Sequence, residues 1–332
     1  MERTTILAIL ILSFLASSCY YEAGMEGRQE VKFSAESYYS NIPATRTGYA
    51  SDAGEAVIGG KERIDWVEGD KIRICNLSGL QVADYSVSAP SEGENGTSVA
   101  SITEILDPIL WTGTGKNTFV AVYPSDAMDS EGVVSPSIPV RQTVTRIGSG
   151  NRFKPDMNYA YMVAKVTASQ RGAFVNLPFY PAMTAFEFVL KVVDGSSKSV
   201  TVNGFEMVSV SEGVTKPTAL AGTFTWNPVT GEYYCTDWIE KVNDRIAVSF
   251  EGEAVTVSGG DVLRFTVFAL PQDLTGLKVT FKLSVGNKTL SLKQGGEWTV
   301  FEACRKYVIS TPAVDPGTGN TEPQNPPEEG EW

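Results

Sequence analysis

The stretch "LKVTFKLSV" (277–285) puts Val279, Phe281, Leu283 and Val285 on one face of an extended chain and Lys278, Thr280, Lys282 and Ser284 on the other. A two-residue repeat with one apolar and one wet side marks a strand of an antiparallel sheet. Gly286-Asn287 supplies tight-turn chemistry, and "KTLSLK" returns Leu290 and Leu292 along the buried face, a hairpin pattern. The same alternation recurs in "YAYMVAKVTA" (159–168), "TAFEFVLKV" (184–192), "SVTVNGFEMVSV" (199–210) and "VLRFTVFAL" (262–270). Almost nothing after residue 20 carries a helical period. The pattern predicts an all-β chain of antiparallel β-sandwiches.

A chain of 332 residues suits two domains of ordinary size. The segment "GAFVNLPFYPA" carries two prolines between strand patterns, which suits a bend better than a central strand. The expected division is therefore 47–176 and 177–311. Residues 312–332 hold five Pro, three Gly and five acidic residues without Lys or Arg, a tail too polar to bury a core of its own.

The first residues follow another logic. "TILAILILSFLA" gives about a dozen mostly apolar residues, enough for a signal-peptide core and too short to span a bilayer as a helix. Small residues Ala16, Ser17 and Ser18 then lead to Cys19. This order predicts a lipoprotein signal peptide over 1–18 and acylation of Cys19, whose acyl chains would tether the protein to a membrane. Ordinary secretion, with a cysteine that merely follows the cut, is the plainer alternative. Residues 19–46 then form a lipidated propeptide holding the first strand.

Charge and composition narrow the function. With 39 acidic against 27 basic residues and no basic cluster, nucleic acid is not an expected partner. Histidine is absent, which removes Ser-His-Asp and Cys-His nucleophile systems and His-ligated zinc. Cys75, Cys235 and Cys304 have no CxxC spacing, so they read as small buried thiols, with a Cys235–Cys304 bridge as the other option. No metal and no cofactor are expected. "GTG" (113–115) and "GSG" (148–150) lack the residues of a phosphate cradle and read as turns. Asp65 and Asp70 flank "WVEG", which reads as a turn with Trp66 packed inward rather than as a catalytic carboxylate pair. Alternation places Glu187, between Phe186 and Phe188, outward and solvated.

The stretch "VKFSAESYYSNIPATRTGYAS" (31–51) is the most informative. Val31, Phe33 and Ala35 share one face of a short strand, and a polar connector with Pro43 leads to Arg46. Arg46 reads either as a plain loop residue or as a cut site for a trypsin-like protease. Cutting there would remove the first strand, exposing apolar pockets and unpaired backbone groups that accept a strand from another molecule.

The run "KERIDWVEGDKIRICN" (61–76) resembles the Trp-x-x-Gly-Asp-x-Ile strand signature of the fimbrillin family, the type V pilin-like surface lipoproteins of Bacteroidales. In the same order, "ATRTGY", "WTGTGKNTFVAVYP" (111–124), "PDMNYAYMVA" (155–164), "LPFYPAMTAFEFVL" (177–190), "LAGTFTW" (220–226) and "FEACRKYVIS" (301–310) are similar to further family segments. The resemblance implies two tandem transthyretin-like antiparallel β-sandwich domains after a lipoprotein signal peptide. It also implies an outer-membrane lipoprotein that an arginine-specific protease trims, and that joins other fimbrial subunits by strand exchange at the cell surface. Carried over, Cys19 is the lipid site, Arg46 the processing site, and Val31, Phe33 and Ala35 belong to the displaced strand. Tyr307, Val308 and Ile309 are the candidate donor strand, although Pro312 interrupts the alternation after them.

Three functions follow from this reading. The first is a non-enzymatic fimbrial or accessory subunit with a role in adhesion. The second is a surface lipoprotein that never polymerises and binds glycan or host protein through loops, with Trp111, Trp226, Trp238 and Trp298 as stacking candidates. A histidine-free glycosidase, needing only two carboxylic acids, is the third.

Overall fold

β-Branched and aromatic residues at alternate positions fit a pleated, half-buried surface, and the chain folds accordingly. The computed structural model describes residues 29–37, 48–49, 64–92, 98–169, 174–193, 199–211, 219–227, 233–235, 244–252, 254–273, 277–285, 288–292, 300–301, 303, 305–310 and 314. Strands dominate, and two short 3-10 turns, Ser125–Ala127 and Met157–Tyr159, are the helical elements among the described residues. The all-β expectation holds. The predicted hairpin is present, with Phe281 opposite Leu292 and Leu283 opposite Leu290.

Seven strands close into a barrel. Around it run Lys32–Ser37, Phe174–Pro181, Met162–Ala168, Asn117–Tyr123, Lys71–Asn76, Gln81–Glu92 and Ser98–Glu104, which returns to Lys32–Ser37. Aromatic rings pack in the interior among aliphatic side chains. Trp66 meets Tyr123 and Phe179 edge-on at 5.5 and 5.1 Å, and Trp111 meets Phe119 at 5.6 Å. Edge-to-face contact aligns the positive rim of one ring with the negative face of the next.

A ten-stranded sheet holds the second packing centre. Its path runs Lys288–Leu292, Leu277–Val285, Val200–Ser211, Arg245–Phe250, Arg141–Arg146, Arg152–Lys154, Val262–Ala269, Thr184–Lys191 and Arg305–Ser310, and the tenth strand, Val255–Val257, pairs with Val200–Ser211 off this path. Phe188 lies 4.1 Å from Phe205 and 5.3 Å from Phe281, ring centre to ring centre.

The bend expected at the two prolines is not found there. Residues 176 and 177 fall inside the strand Phe174–Pro181, not in a bend, and that strand lies in the barrel. Pro178 is tolerated on that side because the ladder with Met162–Ala164 covers only Phe179–Pro181, so Pro178 has no partner there that needs its missing N–H, while Pro181 sits at the end of the ladder opposite Met162. Strands Arg141–Arg146 and Arg152–Lys154 pair in the larger sheet, parallel to Arg245–Phe250 and to Val262–Ala269 respectively. The ladders are thus mixed, not purely antiparallel.

Cys75 is a free, buried thiol, and burial pushes its pKa up. A Cβ on Gly132 would come within 2.5 Å of its sulfur, and the φ of +83° at Gly132 also favours glycine.

Candidate functional site

The first strand, "KFSAES" (Lys32–Ser37), fills the position between Phe174–Pro181 and Ser98–Glu104 that closes the barrel. It runs parallel to the former, with Lys32 opposite Phe174 and Ser37 opposite Phe179. It runs antiparallel to the latter, with Ser34 opposite Ser101 and Ser37 opposite Ser98. Alternation delivers what the sequence predicts: Val31, Phe33 and Ala35 are 1%, 2% and 0% exposed. The Phe33 ring meets Tyr85 at 5.4 Å and Phe119 at 5.1 Å, both edge-on. Burying side chains such as Val31 and Phe33 contributes about 1.5–3 kcal/mol each.

Polar contacts fasten this strand at its start and along its outer face. Ahead of it, the Val31 amide donates to the Ile109 carbonyl (2.9 Å) and the Trp111 amide donates to the Gln29 carbonyl (2.8 Å). The clamp itself is fixed from inside: the Ile109 amide donates to the Tyr85 hydroxyl (2.9 Å) and the Leu110 amide to Gln81 Oε1 (2.8 Å). Burial pushes the Tyr85 hydroxyl up to about 12, so it stays neutral. On the outer face, Ser34 donates to Asn176 Oδ1 (3.3 Å) while Asn176 Nδ2 donates to Glu36 (2.6 Å). At the far end the buried Ser37 hydroxyl has no hydrogen-bond partner among the described residues.

Sequence reasoning missed the buried amide pair that shapes this clamp. Asn76 Nδ2 donates to Asn117 Oδ1 (2.8 Å) and to the Leu110 carbonyl (3.2 Å). Asn117 also accepts from the Thr112 amide (2.9 Å) and donates to the Thr112 carbonyl (2.9 Å). An Asn at the edge of each apolar run, in "ICNLSG" and "GKNTFV", was the available signal.

The candidate donor strand is already paired in its own chain. Arg305–Ser310 runs parallel to Thr184–Lys191, with Tyr307 opposite Phe186 and Ile309 opposite Phe188. Tyr307 stacks on Phe186 at 5.5 Å and Ile309 is 6% exposed. A buried Val314 bridges Val192, so this residue of the predicted tail is tied to the sheet.

Glu187 corrects the sequence reading. It lies on the outward face but is not solvated: its side chain is 13% exposed, with Lys306 Nζ at 2.7 Å and Arg264 Nη1 at 3.3 Å. Alternation assigns a face, not what covers it. Burial alone would push the Glu187 carboxyl up, but Lys306 and then Arg264 outweigh it, and the net shift is downward. A lowered folded-state pKa means the contact stabilises above the ordinary carboxylate value of 4.5 and is lost as pH falls through the folded value. The protection of the Tyr307–Ile309 amides, taken relative to their intrinsic exchange at each pH, is therefore expected to fall as pH drops below the ordinary value of 4.5, and Glu187→Gln to remove most of that dependence.

Other sequence candidates separate. Trp111 and Trp226 are 2% and 6% exposed and pack in the two cores, so neither offers a face to a sugar. Asp70 is buried and ties the "WVEG" turn, accepting from the Val67 amide (3.1 Å) and the Tyr123 hydroxyl (3.0 Å). Cys19, Arg46, Trp238, Trp298, Cys304 and the tail past Val314 lie outside the described residues.

A family model described as fimbrillin-like matches residues 55–318. No curated protein matches. Among solved structures, a candidate cell adhesion protein from Bacteroides ovatus aligns with a TM-score of 0.52 at 15% identity, covering 86% of this chain and 92% of that one. A second such protein, from Bacteroides uniformis, aligns at 0.48 and 15% identity over 87% and 93%. A fimbrial assembly protein from Parabacteroides distasonis aligns at 0.42 and 8% identity over 87% and 93%. At 15% identity the likeness to the Bacteroides ovatus protein concerns the fold alone.

Proposed function

The chain belongs to the fimbrillin-like family, and on that premise we propose that it is a fimbrial subunit of the bacterial surface, with a role in adhesion. In this reading the precursor is held at the outer membrane through Cys19, and an arginine-specific protease cuts after Arg46. The first strand leaves, and a strand from another subunit takes its place. The observation that carries the reading is the position of Lys32–Ser37. It is a six-residue strand that closes a barrel, precedes Arg46 in the chain, and buries Phe33 and Ala35, with Val31 buried just ahead of it. Its loss leaves two strands with unpaired backbone groups around an apolar slot, an arrangement that favours β-strand addition.

Filaments sheared from cells expressing the full chain test this. Mass spectrometry of the subunit in those filaments is expected to find an N terminus at Thr47. Filament-borne subunits that retain residues 29–37 on an acylated Cys19 would contradict cleavage and exchange together.

A further inference from the structure

The slot of the first strand places requirements on whatever replaces it. We propose that this slot is keyed by side-chain size and is filled by a strand from a different protein, not by the C-terminal strand of a second copy; the proposal rests on the strand-exchange reading above. The key has three positions. At Phe33, a ring fits between the edges of Tyr85 and Phe119. At Ala35, which is fully buried, the neighbours in register are Leu177 on one strand and Ala100 on the other. At Ser37, also fully buried, the hydroxyl has no partner among the described residues, so the position asks for a small side chain and not for a hydrogen bond.

The segment 305–314, "RKYVISTPAV", has one aromatic residue, Tyr307. Placing Tyr307 at the Phe33 position puts Ile309 at the Ala35 position if the strand runs in the native direction, and Arg305 there if it runs in reverse. The first overfills a closed pocket and the second buries an unpaired charge. Every other register leaves the ring position to a non-aromatic side chain. Leaving its own sheet also costs this strand the Tyr307–Phe186 stack and the Lys306–Glu187 pair. The fitting partner carries an aliphatic, an aromatic, Ala or Gly, and another small residue at alternate positions, as Val31, Phe33, Ala35 and Ser37 do.

Grafts into the uncut full chain test the key directly. In one, residues 31–37 (VKFSAES) become RKYVIST, the sequence of 305–311. In the other they become VTFTAES, which changes only the outward positions 32 and 34, keeps a hydroxyl at 34 and leaves Glu36 in place. Hydrogen exchange of residues 31–37, 98–101 and 174–179 is the readout. The VTFTAES chain is expected to keep native protection, and the RKYVIST chain to lose on the order of 100-fold. Should that chain fail to fold, Ala35→Ile alone is expected to lose about tenfold at the same amides. Native-like protection in the RKYVIST chain or in Ala35→Ile would overturn the proposal, as would loss of protection in VTFTAES. Because the chain is uncut, these results read the slot alone. Failure of strand exchange would show separately, as a first strand retained in filaments.

Discussion

Phe33→Ala is expected to destabilise the intact chain by about 3–5 kcal/mol, the range for truncating a buried aromatic residue. The figure combines lost transfer energy with a cavity that the surroundings fill only partly. Collapse is limited here because Phe33 meets two rings, Tyr85 and Phe119, each held elsewhere. Tyr85 is tied to the Ile109 amide, and Phe119 packs against Trp111. Denaturant unfolding should show a lower midpoint and an unchanged slope, since the surface exposed on unfolding hardly changes. Phe33→Leu, which fills more of the space, should lose less than half as much. A loss of under about 1 kcal/mol for Phe33→Ala would mean the first strand contributes little to the barrel.

Asn117→Ala is expected to cost about 3 kcal/mol, because it orphans several buried polar groups at once, each of which carries about 1–3 kcal/mol when left unpaired. Asn117 is 0% exposed and serves the Thr112 amide, the Thr112 carbonyl and the Asn76 side chain. The second consequence is local. The segment it orders leads to the Ile109–Trp111 clamp on Gln29 and Val31, so exchange at Val31 and Trp111 should rise more than at Phe205 or Phe265 in the other core. Uniform acceleration across both cores would show that the amide pair has no special link to the first strand.

The strand content was legible because each strand announces itself locally. "VKFSAES" and "LKVTFKLSV" carry their buried face in their own alternation, and the structure buries Val31, Phe33, Ala35, Phe281 and Leu283 accordingly. The pairing was not legible in the same way. Ser34 meets Asn176 across 142 residues, and nothing local marks a parallel partner that distant. Glu187 failed for a related reason: the covering groups, Lys306 and Arg264, come from distant strands. Proline in "LPFYP" misled because its cost depends on which side of the strand is paired, and pairing is a tertiary fact. Cys19 and Arg46 remain sequence readings, and the fold gives them meaning only through the strand that lies between them.

The central claim is that one chain's barrel is closed by another chain's strand after maturation. Hydrogen exchange with mass spectrometry on the subunit in native filaments tests it most directly. The account predicts that residues 31–37 are absent from the subunit while Ser98–Ser101 and Phe174–Phe179 stay as protected as in the uncut chain. Filaments in which residues 31–37 are present and protected in their own barrel would contradict it.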